Sequence, residues 1–322
     1  MNELAPYIER IEKELGQIDF PQDPKKLYDP LRYFLKIGGK RIRPALVILG
    51  QKLFDANAKE AYAQALAIEI FHNFTLIHDD IMDNAPLRRG QQTVHEKWNA
   101  NIGILSGDAL LIKAYQKLAE GAGEHLASLL EVFNTTALEV CEGQQMDMDF
   151  EERIDVTISE YIEMIRLKTS VLLGGALEIG AIMTDASDSD RKALREFGEN
   201  IGIAFQIKDD ILDLYADPDK FGKQVGGDVI ANKKTILFLS ANSVATGPQR
   251  EILSQLLKET NVELKLSRTR ELFDHLNVRV MCQERMDDHY KRAMTALDTI
   301  DVPGENKKAL VSLAQYLIER DL

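Results

Sequence analysis

Hydrophobic positions recur at intervals of three and four along almost the whole chain. Leu4, Tyr7, Ile8, Ile11, Leu15 and Ile18 form one such stripe, and Leu110, Leu111, Ala114, Tyr115 and Leu118 form another. This is the spacing of helices that bury one face. No run alternates apolar and polar residues as a half-buried strand would. Breaks are sparse, at 21–30, Gly38-Gly39, 121–123, 184–189, 217–232, 246–248 and 302–304, each rich in turn-forming residues. The pattern predicts an all-α bundle of about ten helices. With no Ser/Gly/Pro-rich linker, residues 1–322 are expected to form one domain. One echo stands out, LIHDDIMD at 76–83 and QIKDDILD at 206–213, without a full repeat around it.

The chain has 322 residues, 45% of them hydrophobic, enough for a large core. Lys and Arg total 39 against 52 Asp and Glu, a net charge of −13. That argues against nucleic acid or an anionic membrane surface as partner. It leaves room for an anionic substrate held through cations. The two cysteines, Cys141 and Cys282, are far apart and lack metal-ligand spacing, which fits a reducing cytoplasm. The N-terminal stretch MNELAPYIERIEKELGQI has acidic residues and no long apolar run, unlike a signal peptide. The most apolar run, 171–183, is 13 residues long and contains Glu178. It is too short to span a bilayer and is expected to be a buried helix, so no transmembrane segment is predicted.

Asp79, Asp80 and Asp83 lie inside the apolar helical segment AIEIFHNFTLIHDDIMD, and Asp209, Asp210 and Asp213 repeat the arrangement in IGIAFQIKDDILDLY. Positions 79 and 83 are one turn apart and share a face. Three aspartates within five residues repel one another and disfavour a helix. Magnesium would remove that conflict: it prefers oxygen and takes one or two carboxylates, with water and phosphate completing its octahedron. Two such clusters facing each other across a bundle would hold several ions around one diphosphate. A solvated acidic face explains one such motif; two, each flanked by apolar residues, point to a cavity.

The basic residues are localised. GGKRIRP at 38–44 places Lys40, Arg41 and Arg43 after a Gly-Gly turn, as an anion cradle or as a helix-capping surface patch. Arg88-Arg89-Gly90 follows Asp83 closely, so these arginines either pair with the acidic cluster or neutralise a diphosphate beside it. His72 lies two turns before Asp79 on the same face, as a phosphate ligand or a core histidine; His78 and His95 lack that alignment and are expected to be structural. Lys168-Thr169 falls on a helix between the motifs. Gln206 precedes Asp209 and Asp213 by three and seven residues, on their face. The loop ADPDKFGKQVGGDVIANKKT holds Lys223, Lys233 and Lys234 and reads either as a lid over an anion or as a solvated surface loop.

Taken in order, GGKRIRP, HNFTLIHDDIMDNAPLRRG, KT, FQIKDDILD, GKQVGGD and NKKT resemble the motif set of the trans-isoprenyl diphosphate synthases, over residues 27–235. The resemblance implies an all-α fold with a central active-site cavity, and a homodimer. It implies three Mg²⁺ ions, with Asp79, Asp83 and Asp209 as ligands and Asp80, Asp210 and Asp213 in support. Isopentenyl diphosphate would be held by Lys40, Arg43, His72 and Arg89. The allylic diphosphate would be held by Arg88, Lys168, Thr169, Gln206, Lys223 and Lys233. The implied reaction departs diphosphate from the allylic substrate in a dry cavity and adds isopentenyl diphosphate head to tail, the released diphosphate taking the proton. Phe74 and Thr75, five and four residues before Asp79, would set product length. A single aromatic at that distance, with no insertion in DDIMD, resembles the enzymes making the C20 product geranylgeranyl diphosphate. The C15 product farnesyl diphosphate, or a mixture, is the alternative. A terpene cyclase would lack the Lys40, Arg43 and His72 set, and a non-catalytic subunit commonly loses an aspartate or arginine that is present here.

Overall fold

A computed structural model describes residues 4–216 and 225–319. The expectation of an all-α chain is met. Among the described residues the only strands are Leu87–Arg88 (β1) and Gln91–Gln92 (β2), an antiparallel pair. The α-helices are Ala5–Gly16 (α1), Lys25–Leu35 (α2), Ile42–Phe54 (α3), Tyr62–Met82 (α4), Val94–Lys97 (α5), Ala100–Ala119 (α6), Leu126–Glu152 (α7), Ile158–Ile165 (α8), Val171–Ile182 (α9) and Asp188–Tyr215 (α10). They continue as Gly227–Ile230 (α11), Ile236–Val244 (α12), Gly247–Leu256 (α13), Val262–His275 (α14), Val278–Asp298 (α15) and Gly304–Ile318 (α16).

Sixteen α-helices among the described residues exceed the expected ten or so. The breaks at Gly38-Gly39 and 121–122 lie between helices, whereas α2 runs through Pro30 inside the expected break at 21–30 and α11 lies inside that at 217–232. The additional ones are made by capping chemistry. Thr157 and Glu160 bond reciprocally at the start of α8, and the Asn261 side chain accepts from the Leu264 amide to start α14. Asn277 takes a left-handed φ of 55° between α14 and α15. Such side chains satisfy the orphan amides of a helix start or tolerate the left-handed turn.

The chain divides into two compact units, each assembled from discontinuous stretches. Residues 1–134, 175–192 and 302–309 form the first, and 135–174, 193–301 and 310–322 the second. In the first, α4 packs along α6 and against α3. Its core includes Ile48, Ile68, Leu110 and an aromatic chain in which the Phe133 ring lies 5.2 Å from Phe71 and 5.0 Å from Tyr115. In the second, Tyr161, Ile207, Ile236, Phe273 and Cys282 are buried together. The apolar run at 171–183 becomes α9, with Val171, Leu177 and Ile179 fully buried, as expected for an internal helix. Among the described residues no helix is long and apolar enough to cross a membrane.

Candidate active site

In the first unit, helical phase decides what each aspartate of α4 does. Asp79 and Asp83 are one turn apart, the Asp83 amide donating to the Asp79 carbonyl at 2.8 Å. Asp80 points about 100° away and is 1% exposed. Its Oδ1 accepts from Arg88 Nε at 2.9 Å and Nη2 at 2.5 Å, while its Oδ2 is buried without a hydrogen-bond partner. Burial raises the Asp80 pKa, and the Arg88 bond opposes that rise.

The second of the paired arginines opens a turn that the chain pattern did not predict. Arg89 and Gly90 take φ values of 53° and 77° between β1 and β2, as a tight hairpin turn requires. Arg88 thus reaches Asp80. Arg89 reaches the Gly38-Gly39 turn, where a methyl on Gly39 would lie 2.7 Å from its Nη1. A side chain at 39 would displace the guanidinium from this position.

Beside it, Arg43 Nη1 lies 3.3 Å from His72 Nε2. A guanidinium is always a donor, so His72 Nε2 is the acceptor and its ring is neutral. Burial first, then Arg43, Arg89, Arg88 and Arg41, hold its pKa well below the ordinary value. Arg43 is pushed down by burial, partly relieved by Glu69 and aggravated by Arg89. Its Nε is buried without a partner. Arg41, by contrast, turns inward: it donates to Glu69 at 2.5 Å and to Glu12 at 2.7 Å. Glu69 is therefore already engaged, and Arg43 and Arg89 form no ion pair with any described carboxylate. Lys40 is exposed on the same turn. The result is a concentration of positive charge that an anion would relieve.

In the second unit, α10 repeats the phase logic. Asp210 is 3% exposed and accepts from the Tyr161 hydroxyl, from Gln206 Nε2 at 3.2 Å and from the Ile236 amide at 3.4 Å. Burial pushes its pKa up to about 7, against the Tyr161 bond. Gln206 was expected to serve the Asp209 and Asp213 face; its amide is instead bonded to Asp210, the next residue one turn on. Asp213 Oδ2 accepts from the Asp228 amide at 3.0 Å, tying α10 to the start of α11.

Lys168 and Thr169 lie in a π-helical turn, Arg166–Ser170, rather than in regular helix. Such turns recur at functional sites. The turn fits because α7 passes it at Gly143, where a methyl would be 2.2 Å from the Lys168 backbone nitrogen. Lys168 Nζ pairs with Asp147 at 2.5 Å. Lys233 is exposed, with its Nζ 3.9 Å from Asp228. Lys234 is not a loop lysine in waiting: it donates to the carbonyls of Phe150 at 2.6 Å and Glu151 at 2.9 Å at the end of α7. Lys223 lies outside the described residues.

Among chain-length candidates, Phe74 stacks edge-on with His78 at 4.7 Å and tilts against Phe71 at 5.7 Å, while Thr75 bonds back to the His72 carbonyl at 2.9 Å. His78 meets the Ile104 carbonyl at 3.1 Å, a structural contact. Sequence reasoning gave no role to Asp147, Tyr161 or Asp228, which engage Lys168, Asp210 and Asp213. Asp228 sits in the GGD motif, the one signal that could have singled it out.

Among the described residues no three acidic, histidine or cysteine side chains converge into a preformed metal cage. The exposed or half-exposed carboxylates of Asp79, Asp83 and Asp209 suit an ion that keeps waters and takes substrate oxygens.

An all-helical chain with two aspartate motifs on helices and an uncompensated arginine cluster belongs to a class of anion-handling enzymes. Comparison makes that specific. Residues 24–273 match the polyprenyl synthetase family. A geranylgeranyl diphosphate synthase of Methanosarcina mazei is 38% identical, over 99% of this chain and 99% of its own. A geranylfarnesyl diphosphate synthase of Natronomonas pharaonis is 36% identical over 93% of this chain and 91% of its own. The crystal structure of a geranylgeranyl pyrophosphate synthetase from Pyrococcus horikoshii superposes with a TM-score of 0.90 at 35% identity, covering 99% of both chains. The chain belongs to the polyprenyl synthetase family and is a prenyltransferase.

Proposed function

We propose that this chain, as one catalytic domain, condenses isopentenyl diphosphate with an allylic diphosphate head to tail and gives mainly geranylgeranyl diphosphate. The observation that carries the reading is the Arg43–His72–Arg89 cluster, which has positive charge, buried donors and no carboxylate of its own. A diphosphate supplies the missing charge and acceptors, so these residues with Lys40 are assigned to isopentenyl diphosphate. A cyclase acting on one diphosphate has no use for such a second cradle.

Asp79 and Asp83 of the first motif and Asp209 of the second are assigned as Mg²⁺ ligands, three ions being expected with diphosphate bound. Bound Mg²⁺ would supply Lewis-acid neutralisation of the departing diphosphate. Asp80 holds Arg88 in place, and Asp210 and Asp213 anchor α10 to Tyr161 and α11. Arg88, Lys168, Thr169, Gln206, Lys223 and Lys233 are assigned to the allylic diphosphate. Their charges favour the leaving group as it separates, the electrostatic part of catalysis. No side-chain base is assigned; the released diphosphate takes the proton.

Phe74 is assigned as the floor that stops the growing tail, with Thr75 small enough to let it pass. The names of relatives support C20 and include C25 synthases, so residues near the floor decide between lengths. C15 or a mixture is the alternative. The exposed Ile104, Leu105 and Ile112 on α6 support a homodimer. A cytoplasmic enzyme fits two cysteines that are not joined in a disulfide. The test is incubation of the purified chain with Mg²⁺, isopentenyl diphosphate and farnesyl diphosphate, with product length read by chromatography. A cyclised hydrocarbon, or no product, rejects the reading.

A further inference from the structure

Lys265 breaks the pattern of its own helix. The buried positions of α14 are 265, 269, 272 and 273, the stripe on which a helix carries its apolar contacts. Leu272 and Phe273 fill two of them, yet 265 is a lysine, 5% exposed. No described carboxylate pairs with it. Its ammonium bonds two neutral acceptors, Asn232 Oδ1 at 2.7 Å and the Ile230 carbonyl at 3.4 Å. Burying an ammonium without a counter-ion is costly, so a position needed only for packing would carry Leu or Met.

The acceptors show what the charge holds. Ile230 is the last residue of α11, and Asn232 follows in a left-handed turn at φ 56°. Asn232 also donates through Nδ2 to the Leu257 carbonyl at 3.1 Å. The other end of α11 hangs on Asp213, which accepts the Gly226 amide on its carbonyl at 2.5 Å and the Asp228 amide on its carboxylate at 3.0 Å. Beyond the turn, Lys234 is bonded to the end of α7. Lys233 is the exposed lysine between these anchors, its side chain 63% accessible. Lys233, Lys265, Asn232 and Thr235 line one small cavity with Phe238 and Phe273.

We propose that Lys265 is a positioning residue for allylic diphosphate binding: its buried ammonium grips the turn at 230–232 and so sets Lys233 and Asp228 against the second aspartate motif. This rests on the assignment of Lys233 to the allylic diphosphate. The side chain never touches substrate, and its effect falls on one substrate only.

The test uses the full chain with Mg²⁺, isopentenyl diphosphate and farnesyl diphosphate. Lys265→Met keeps the stem and the cavity lining while removing the charge. KM for farnesyl diphosphate should rise about tenfold, with KM for isopentenyl diphosphate within about twofold and a melting temperature unchanged or raised. Asn232→Gly keeps the left-handed turn but deletes the acceptor, and should give the same selective rise. The double variant should lose no more than either single one. Unchanged KM for farnesyl diphosphate in both single variants overturns the inference, as does an equal loss on both substrates with a lowered melting temperature. If Lys265→Met does not fold, Asn232→Gly decides alone. Lys233→Ala separates the two levels. A selective rise there with none in Lys265→Met or Asn232→Gly defeats the positioning role and leaves the site reading standing. No rise in Lys233→Ala defeats the site reading and the inference with it.

Discussion

Arg43→Met should make the protein more stable and a poorer enzyme. The Arg43 guanidinium is pushed down by burial and by Arg89, with Glu69 as its relief, and Glu69 already receives Arg41 and Asn73. Its Nε has no partner and its Nη1 reaches only a neutral histidine. Methionine retains the apolar stem. Removing an uncompensated, partly buried charge should stabilise the fold by about 1 kcal/mol. For a chain of this size that raises the melting temperature by roughly 2–3 °C. The same change removes a charge-assisted grip on diphosphate worth about 1.5–3 kcal/mol, or roughly 10- to 150-fold in affinity. The assay is paired: thermal unfolding without ligand, and steady-state KM for each substrate. KM for isopentenyl diphosphate should rise while KM for the allylic substrate stays within about twofold. A lowered melting temperature with an unchanged KM for isopentenyl diphosphate would refute the reasoning, because it would make Arg43 a structural residue already satisfied without an anion.

Asp79→Ala and Asp209→Ala should each keep the fold and lower turnover by about 10³-fold or more; near-normal turnover in either would remove the metal assignment. Asp210 keeps its proton to about pH 7 when folded, against 3.8 for an ordinary carboxylate. Between those values the folded chain binds more protons than the unfolded one, so stability falls as pH rises through that window. Asp210→Asn should abolish that fall, and its melting temperature relative to wild type, measured in EDTA, should climb from pH 4 to pH 8; a flat difference contradicts the burial argument. Phe74→Ala should lengthen the main product by one or more five-carbon units with activity retained. An unchanged product in a folded, active variant leaves Phe74 as an ordinary aromatic packed on Phe71 and His78.

The chain's own pattern determined the fold class and singled out the candidate site. Apolar spacing of three and four specifies helices because it is a local property of the backbone period. The two aspartate motifs, the Gly-Gly turn and the paired arginines are short segments whose charge conflict can be read without knowing what packs on them. Tertiary structure decided how residues that look equivalent in sequence divide their work. Asp79 and Asp80 are neighbours, yet helical phase sends one outward and buries the other against Arg88. Arg41 and Arg43 are two apart, yet Glu12 and Glu69 neutralise the first and leave the second exposed to repulsion. Arg88 ends a strand and Arg89 opens the two-residue turn after it, in a left-handed conformation that no propensity announces. Lys168 stands on a π turn admitted by Gly143 from another helix, and Lys265 looks in sequence like any lysine on a polar helix. These distinctions come from partners 8 to 33 residues away, and such partners follow from packing rather than from the local period.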